Sequence, residues 1–187
     1  MKVIVTGSSG YVGSHIIDIL KKNYDLLCID KEPSIYTDIV ADIADHTLES
    51  SLDQNEEYIL VNLAACRTDH DVTAKEYFES NVRKHEIFLK MLSRFKVLHF
   101  IHMSSVAAID GASMKFNDEL NEDDAYRATK FLQSELIQRW CKKKKIPLTE
   151  LLPSAIYHDA ERRDTNIGKL QNIARYLPMI PKIENKK

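Results

Sequence analysis

The sequence of 187 residues predicts a doubly wound α/β fold, a parallel sheet with helices on both faces. Three observations predict it. Short runs of nearly continuous apolar residues recur along the chain, as expected of strands buried on both sides. Amphipathic helical stretches separate those runs, so each pair of strands can be joined by a right-handed crossover. A glycine-rich turn, TGSSGYVG, comes straight after the first run and opens a helical pattern.

The elements follow in order. KVIVT (2–6) reads as a buried strand, and helical spacing then runs from Val12 through Ile16, Ile17 and Leu20. DLLCID (25–30) is a second strand, DIVA (38–41) a weak third and YILVNLA (58–64) a fourth. Residues 74–95 form a long helix, with Ile87, Met91 and Phe95 on one stripe and Phe88 and Leu92 beside it. KVLHFIHMSS (96–105) is the fifth strand. Residues 106–123 read as a loop, and a loop of that length inside a compact domain is functional or disordered. A helix spans 124–143, and PLTELL (147–152) is the sixth strand. A charged stretch and a short helical pattern over 167–177 close the chain, which has no internal repeat.

With 44% hydrophobic and 29% charged residues, the composition is that of a soluble globular protein. A net charge of −2 gives no global attraction to nucleic acid or membrane. The basic run Lys142–Lys145 ends a helical pattern, where cations suit the helix dipole, and no aromatic interleaves it. Cys28, Cys66 and Cys141 are scattered, without C-x-x-C or zinc spacing, and read as reduced thiols. The opening MKVIVTGSSG turns glycine-rich too soon for a signal h-region, and no run reaches the length of a membrane span. These features point to the cytoplasm. Asp69, His70 and Asp71 cluster after the fourth strand without metal-ligand spacing, so no metal is expected. His99 and His102 lie among apolar residues and read as packed or hydrogen-bonded.

Gly7, Gly10 and Gly13 give the turn its chemistry. The first allows the tight turn, the second lets the backbone approach a pyrophosphate and the third lets helix and strand pack closely. The helix start offers free N–H groups and a positive dipole end to phosphates. Asp30 ends the second strand, where a carboxylate can bond the adenosine ribose hydroxyls. It would repel a 2′-phosphate, which favours NAD over NADP, and the neighbouring Lys31 weakens this only slightly.

At this point the sequence resembles the extended short-chain dehydrogenase/reductase family, the NAD-dependent epimerase/dehydratase group. TGSSGYVG matches the family's T-G-x-x-G-x-x-G. ADIAD (41–45), NLAA (62–65), SNV (80–82), MSSVA (103–107), YRATK (126–130) and LLPSAIY (151–157) follow in the family's order. The resemblance implies a Rossmann-type domain over 1–160 and the start of a small substrate lobe over 161–187. It implies cofactor contacts from Gly7, Ser9, Gly10, Tyr11, Val12, Gly13, Asp30, Lys31, Asp42, Ile43, Leu63, Ala64, Ala65, Asn81, Ser104, Tyr126, Lys130 and Pro153. Asp42 would meet the adenine amino group, and Pro153 would pack near the nicotinamide amide. It implies catalysis by Ser105, Tyr126 and Lys130.

The residue types fit those roles. A tyrosine with its ordinary pKa near about 10 is a poor base at neutral pH. A lysine four residues on shares its helix face, and its charge favours the phenolate. Tyr126 could then take a proton from a substrate hydroxyl as hydride leaves the same carbon. Lys130 would also bond the nicotinamide ribose, and Ser105 would donate to the substrate oxygen. Ser104 is the weaker candidate for that donor.

Departures from the family pattern fall on the substrate side. Val106 and Ala107 follow Ser105 where the dehydratase branch has Asp-Glu, which argues against a 4,6-dehydratase. Asn62 stands where the family usually has histidine. Leu152 precedes Pro153 in place of arginine, and His158-Asp159 replaces Gly-Pro. Arg162 and Arg163 could face a substrate phosphate or a solvated turn. The chain stops at KIENKK, before the family's substrate lobe is complete, as either a piece of a longer chain or a relative without the lobe. The expected activity is NAD-dependent epimerisation or oxidoreduction at a hydroxyl or keto carbon, foremost of a nucleotide sugar. The alternatives are a dehydrogenase or reductase of a steroid-like or small carbonyl substrate, and a non-catalytic NAD-binding module. The family also suggests a homodimer through helices 74–95 and 124–143.

Overall fold

The computed structural model describes residues 1–66 and 72–156. The chain divides into two units, Met1–Ser154 and Ala155–Lys187. The expected helical pattern at 167–177, the substrate lobe at 161–187, Tyr157, Arg162, Arg163 and the Asp69–Asp71 cluster lie outside the described residues.

Six parallel strands form one sheet in the order β3-β2-β1-β4-β5-β6. They are β1 (Lys2–Thr6), β2 (Leu26–Asp30), β3 (Ile39–Val40), β4 (Glu57–Asn62), β5 (Lys96–Met103) and β6 (Leu148–Leu151). The order reverses between β1 and β4. That switch point opens a crevice at the carboxyl ends of the two strands, where a doubly wound sheet takes its ligand. There Thr6 is in register with Asn62.

Side-chain alternation along β1 shows how the sheet is covered. Ile4 joins Leu60, Phe88, Leu92, Phe100 and Ile137 in a core on one face. Val3 and Val5 join Ile17, Cys28 and Val61 on the other. Residues one apart on a strand point to opposite faces, so both faces need apolar side chains. Helix α1 (Tyr11–Leu20) covers the second face through Ile17. Helix α3 (Lys84–Leu92) and the long α5 (Glu122–Lys144) cover the first.

Three elements differ from the sequence expectation. The helix expected over 74–95 is α2 (Ala74–Phe78), a π turn at Glu79–Arg83, and α3. Helical periodicity alone does not reveal one extra residue in a turn. The expected loop at 106–123 contains a short helix, α4 (Ala107–Gly111). Five residues are too few for an apolar period to register. Helix α5 starts at Glu122, two residues before the expected start, because Asn121 caps it and accepts from the Asp124 N–H at 3.0 Å. Glu122, Asp123 and Asp124 at its start and Lys142–Lys144 at its end suit the dipole. Lys145 closes it with φ of 58°.

Phe100 is fully buried and meets Trp140 edge-on at 5.9 Å between ring centres. Phe100→Ala should lower unfolding free energy by about 3–5 kcal/mol in urea titrations, the range for a large buried ring replaced by a cavity. A loss under about 1 kcal/mol would mean the β5–α5 layer is not packed as described.

Candidate functional site

The glycine turn sits at the switch point. Gly7 has φ of 77°, a left-handed conformation, and a Cβ there would lie 2.7 Å from the Ala64 backbone nitrogen. A Cβ on Gly13 would lie 2.3 Å from the Gly7 carbonyl oxygen. These two glycines let turn, helix and β4 close up. Gly10 is exposed, and a Cβ there would meet only the Gly7 oxygen, at 3.2 Å. Its outer side is therefore open to a ligand. Gly10 also stands at the N-cap of α1, with no side-chain cap and no acidic residue in the first turn. The N–H groups of Tyr11, Val12 and Gly13 are the ones a helix start leaves without intrahelical partners. This is a concave, positive backbone surface suited to phosphate.

Asp30 lies beside it. Its carboxylate accepts from the Ser9 N–H at 2.9 Å and the Glu32 N–H at 3.0 Å. It thus ties the glycine turn to the end of β2, and Lys31 next to it is exposed. Further along this rim, Asp42 pairs with Lys84 Nζ at 2.5 Å and accepts from the Ala44 N–H at 3.0 Å. Burial raises the Asp42 carboxyl, but those two bonds outweigh it and leave its pKa below the usual value. Ile43, one residue on, is buried in the core.

Beyond β4, the Leu63 N–H donates to the Thr6 carbonyl at 3.0 Å, and Ala64 and then the exposed Ala65 follow. The π turn presents Asn81 inward, fully buried. Its side chain accepts from the Cys66 N–H at 2.7 Å, donates to the Cys66 carbonyl at 3.1 Å, and donates to Thr129 on α5 at 3.2 Å. Asn81 therefore braces the segment after β4 rather than facing open space. π turns inside α-helices are found at functional sites.

The fifth strand ends in the serine pair. Ser104 is buried, its hydroxyl 2.7 Å from that of Ser134 on α5. Ser105 Oγ accepts from the Ala107 N–H at 3.2 Å, which leaves its own hydrogen to be donated elsewhere. The Pro153 carbonyl accepts from the Val106 N–H at 3.2 Å, so the segment after β6 lies along the serine turn. Tyr126 is half-buried on α5, its ring edge-on to Tyr77 at 6.1 Å. Lys130, one turn on, is turned inward and only 2% exposed. Its Nζ donates to the Met103 carbonyl at 3.1 Å and to Gln133 Oε1 at 2.5 Å. Ser104 and Lys130 thus tie α5 to the end of β5, with Ser105 next in the chain and Tyr126 one helical turn before Lys130.

Behind Lys130 runs a buried polar network of which the sequence singles out Asn62 and His102 but not Thr6, His85 or Gln133. Gln133 Nε2 lies 2.9 Å from His85 Nε2. Asn62 Nδ2 lies 3.2 Å from the same His85 nitrogen and 3.1 Å from His102 Nδ1. Thr6 Oγ1 donates to Asn62 Oδ1 at 2.7 Å. Thr6, Asn62, His85, His102 and Gln133 all show 1% exposure or less. The available signal was polarity on a buried stripe. Gln133 falls between Thr129 and Ile137 on the inner face of α5, and His85 precedes Phe88 and Leu89 on α3. His102 is hydrogen-bonded inside the core, while His99 Nε2 meets Thr149 Oγ1 at 2.8 Å at the surface. Burial pulls the His85 imidazole down to about 3, helped by the Lys130 charge, and His102 to about 2 for the same two reasons. Burial pulls the Lys130 ammonium down to about 7, with the Glu150 carboxylate acting in the opposite direction.

Comparison with known proteins places this geometry. The sequence pattern of a family described as the NAD dependent epimerase/dehydratase family matches residues 3–175. The chain is 26% identical over 182 residues to the N-acetyl-alpha-D-glucosaminyl-diphospho-ditrans,octacis-undecaprenol 4-epimerase of Escherichia coli O157:H7, covering 94% of this chain and 53% of that one. It is 23% identical to a putative UDP-glucose 4-epimerase of Methanocaldococcus jannaschii, covering 87% and 57%. The chain spans about half the length of the curated relatives it matches. In structure it is similar to UDP-glucuronic acid 4-epimerase from Bacillus cereus in complex with NAD, with a TM-score of 0.68 and 22% identity over 91% of this chain and 61% of that one. That likeness shows the fold. Among the described residues, no helix is long and apolar enough to cross a membrane.

The buried bases give a pH dependence of stability. His85 and His102 have folded pKa values below their ordinary 6.5, so the unfolded chain binds more protons below that pH. Stability should therefore fall as pH drops from about 6.5, by about 1.4 kcal/mol per pH unit for each histidine. Asp42, with its carboxyl lowered from 3.8, adds to the loss only in the most acid part of that window. Lys130 adds a rise in stability as pH climbs from about 7 toward 10.5. Urea titrations over a pH series should show the acid slope cut by about half in His102→Leu. An unchanged slope would place the proton uptake elsewhere.

Proposed function

Because the chain belongs to the NAD-dependent epimerase/dehydratase family, we propose that it binds NAD at the carboxyl ends of β1, β2 and β4 and inverts a hydroxyl-bearing carbon of a nucleotide sugar. The observation that carries this reading is the open glycine cradle at the uncapped start of α1, and Lys130, held at the end of β5 where Ser105 follows in the chain, adds support. The name of one relative, a putative UDP-glucose 4-epimerase, supports a nucleotide sugar, and that of the other, a 4-epimerase of a sugar joined through diphosphate to undecaprenol, supports epimerisation of a diphosphate-linked sugar.

The residues present fit NAD. The open side of Gly10 and the uncapped start of α1 suit the pyrophosphate. Asp30 is already held in place by two backbone N–H groups, so its carboxylate can take ribose hydroxyls without a loss of order. Gly7, Ser9, Tyr11, Val12, Gly13, Lys31, Asp42, Ile43, Leu63, Ala64, Ala65, Ser104 and Pro153 complete the proposed rim. Asn81 acts in this reading by holding the Cys66 backbone beneath it.

When bound, NAD supplies an acceptor that takes a hydride from the sugar carbon and returns it. Tyr126 takes the hydroxyl proton as the carbon becomes a ketone, and gives it back when the carbon is reduced on its other face. Lys130, one helical turn away, favours the phenolate while it carries its charge. Ser105 donates its hydroxyl hydrogen to the sugar oxygen as negative charge builds there, with its Oγ fixed by the Ala107 N–H.

Tyr126→Phe should keep NAD affinity within about twofold and lose about 10²–10⁴-fold in turnover. Calorimetry with NAD and chromatography of UDP-glucose and UDP-galactose would read the two. Conversion without net NADH supports epimerisation, and steady NADH production supports a plain dehydrogenase. NAD binding with no turnover in either protein would leave a binding module, and wild-type turnover in the variant would remove Tyr126 from the mechanism.

A further inference from the structure

Lys130 is a buried cation that no carboxylate touches among the described residues. An ammonium can only donate, so every neighbour holding it must present an acceptor. The Met103 carbonyl does so by its nature. Gln133 does so only in one of its two amide orientations, with Oε1 toward Lys130 and Nε2 away. Two groups behind it set that orientation, the Ala64 carbonyl, which accepts from Gln133 Nε2 at 3.4 Å, and His85, which is closer.

His85 Nδ1 lies 3.3 Å from the Ser80 carbonyl in the π turn. A carbonyl only accepts, so this contact puts the hydrogen on Nδ1 and leaves Nε2, the ring nitrogen nearer to Gln133 Nε2 (2.9 Å against 3.3 Å), as the acceptor. Two amide nitrogens converge on that lone pair, Gln133 Nε2 at 2.9 Å and Asn62 Nδ2 at 3.2 Å. Asn62 is fixed independently, because its Oδ1 takes the Thr6 hydroxyl. The opposite histidine tautomer would set an N–H against two N–H groups. Gln133 Nε2 would then keep only the longer bond to the Ala64 carbonyl, and the side of the amide that faces Lys130 would be held less firmly. Donation thus runs from Lys130 through Gln133 and His85 to the Ser80 carbonyl in the π turn, and from Thr6 on β1 through Asn62 to the same His85 nitrogen.

We propose that Gln133, oriented by His85, is the positioning residue for Lys130, holding its ammonium at the end of β5 and setting the pH at which it loses its proton. This deepens the reading in which Lys130 assists Tyr126 and rests on it for its role in turnover. Other groups act on the same ammonium. His102 on β5 and His85 on α3 face it as neutral imidazoles, and Tyr126 lies one turn back on α5. Glu150 on β6 supplies a carboxylate that favours the charged form. Gln133 is the neighbour that is both in contact and free to differ in polarity, so exchanging it changes the charge balance without moving the backbone.

The test reads Lys130 directly, without nucleotide. The ¹³Cε resonance absent from Lys130→Met is followed by NMR from mildly acid to alkaline pH. In wild type it should titrate near neutrality. Gln133→Glu keeps size and acceptor but adds charge, and should raise the midpoint by more than about one pH unit. Gln133→Leu removes the acceptor and should lower it by a similar amount. If the leucine variant does not fold, the glutamate variant alone decides. An unshifted midpoint in folded Gln133→Glu overturns the proposal. The pH profile of UDP-sugar turnover should move with the resonance. If the resonance moves and the profile does not, Gln133 still governs Lys130, and the catalytic role given to Lys130 is what fails.

Discussion

The described fold is organised around one constraint, an ammonium group placed in its interior. Taking a cation out of water is expensive unless acceptors surround it. Lys130 has two, a strand-end carbonyl and a carboxamide, and no ion pair among the described residues. Burial therefore shows as a strongly lowered pKa, which keeps its charge on the edge of being lost near neutral pH. A lysine so placed is a liability to stability. Perturbed groups of this kind mark functional sites more often than structural ones.

Meeting that constraint ties distant elements together. Gln133 belongs to α5, His85 to α3, His102 to β5, Asn62 to β4 and Thr6 to β1, yet they form one chain of hydrogen bonds. The strands that carry these residues end side by side because the sheet is parallel and its order reverses between β1 and β4. The π turn contributes twice. It aims Asn81 at the backbone of Cys66, and its Ser80 carbonyl selects the tautomer of His85. The glycine turn lies on the other side of the same strand ends, with Asp30 holding its backbone. The glycine cradle and the buried polar network are thus two outcomes of one arrangement.

Much of this was legible in the sequence, and the reasons differ by element. The inner strands of the parallel sheet write themselves as apolar runs, and the glycine spacing after the first can be read because sterics permit nothing else at Gly7 and Gly13. The pair Tyr126 and Lys130 was legible as a spacing, but not as an inward-turned lysine. Depth depends on what surrounds a side chain, and a spacing carries no such information. Helix α4 was too short to show a period, and the π turn adds one residue without disturbing the apolar stripe. Gln133 and His85 sit where the helical period calls for apolar residues, and that mismatch was their one trace. Hydrogen-bond direction, which makes them a unit, exists only once the strands are side by side.

Asn62 shows why such residues have to be read together. The motif it occupies resembles one that usually carries histidine. A neutral imidazole offers one donor and one acceptor. The position here needs more: an acceptor for the Thr6 hydroxyl and donors for both His85 Nε2 and His102 Nδ1. A carboxamide supplies one oxygen and two N–H groups, which matches that demand bond for bond. A histidine at 62 would leave one of three buried partners unsatisfied, and a buried unpaired polar group costs about 1–3 kcal/mol. His102 already has an Nε2 with no partner among the described residues, so the interior has little room for a second. The departure at Asn62 is therefore coupled to the presence of His85 and His102. Together they leave His85 a neutral acceptor, the state in which Gln133 can turn its oxygen to Lys130.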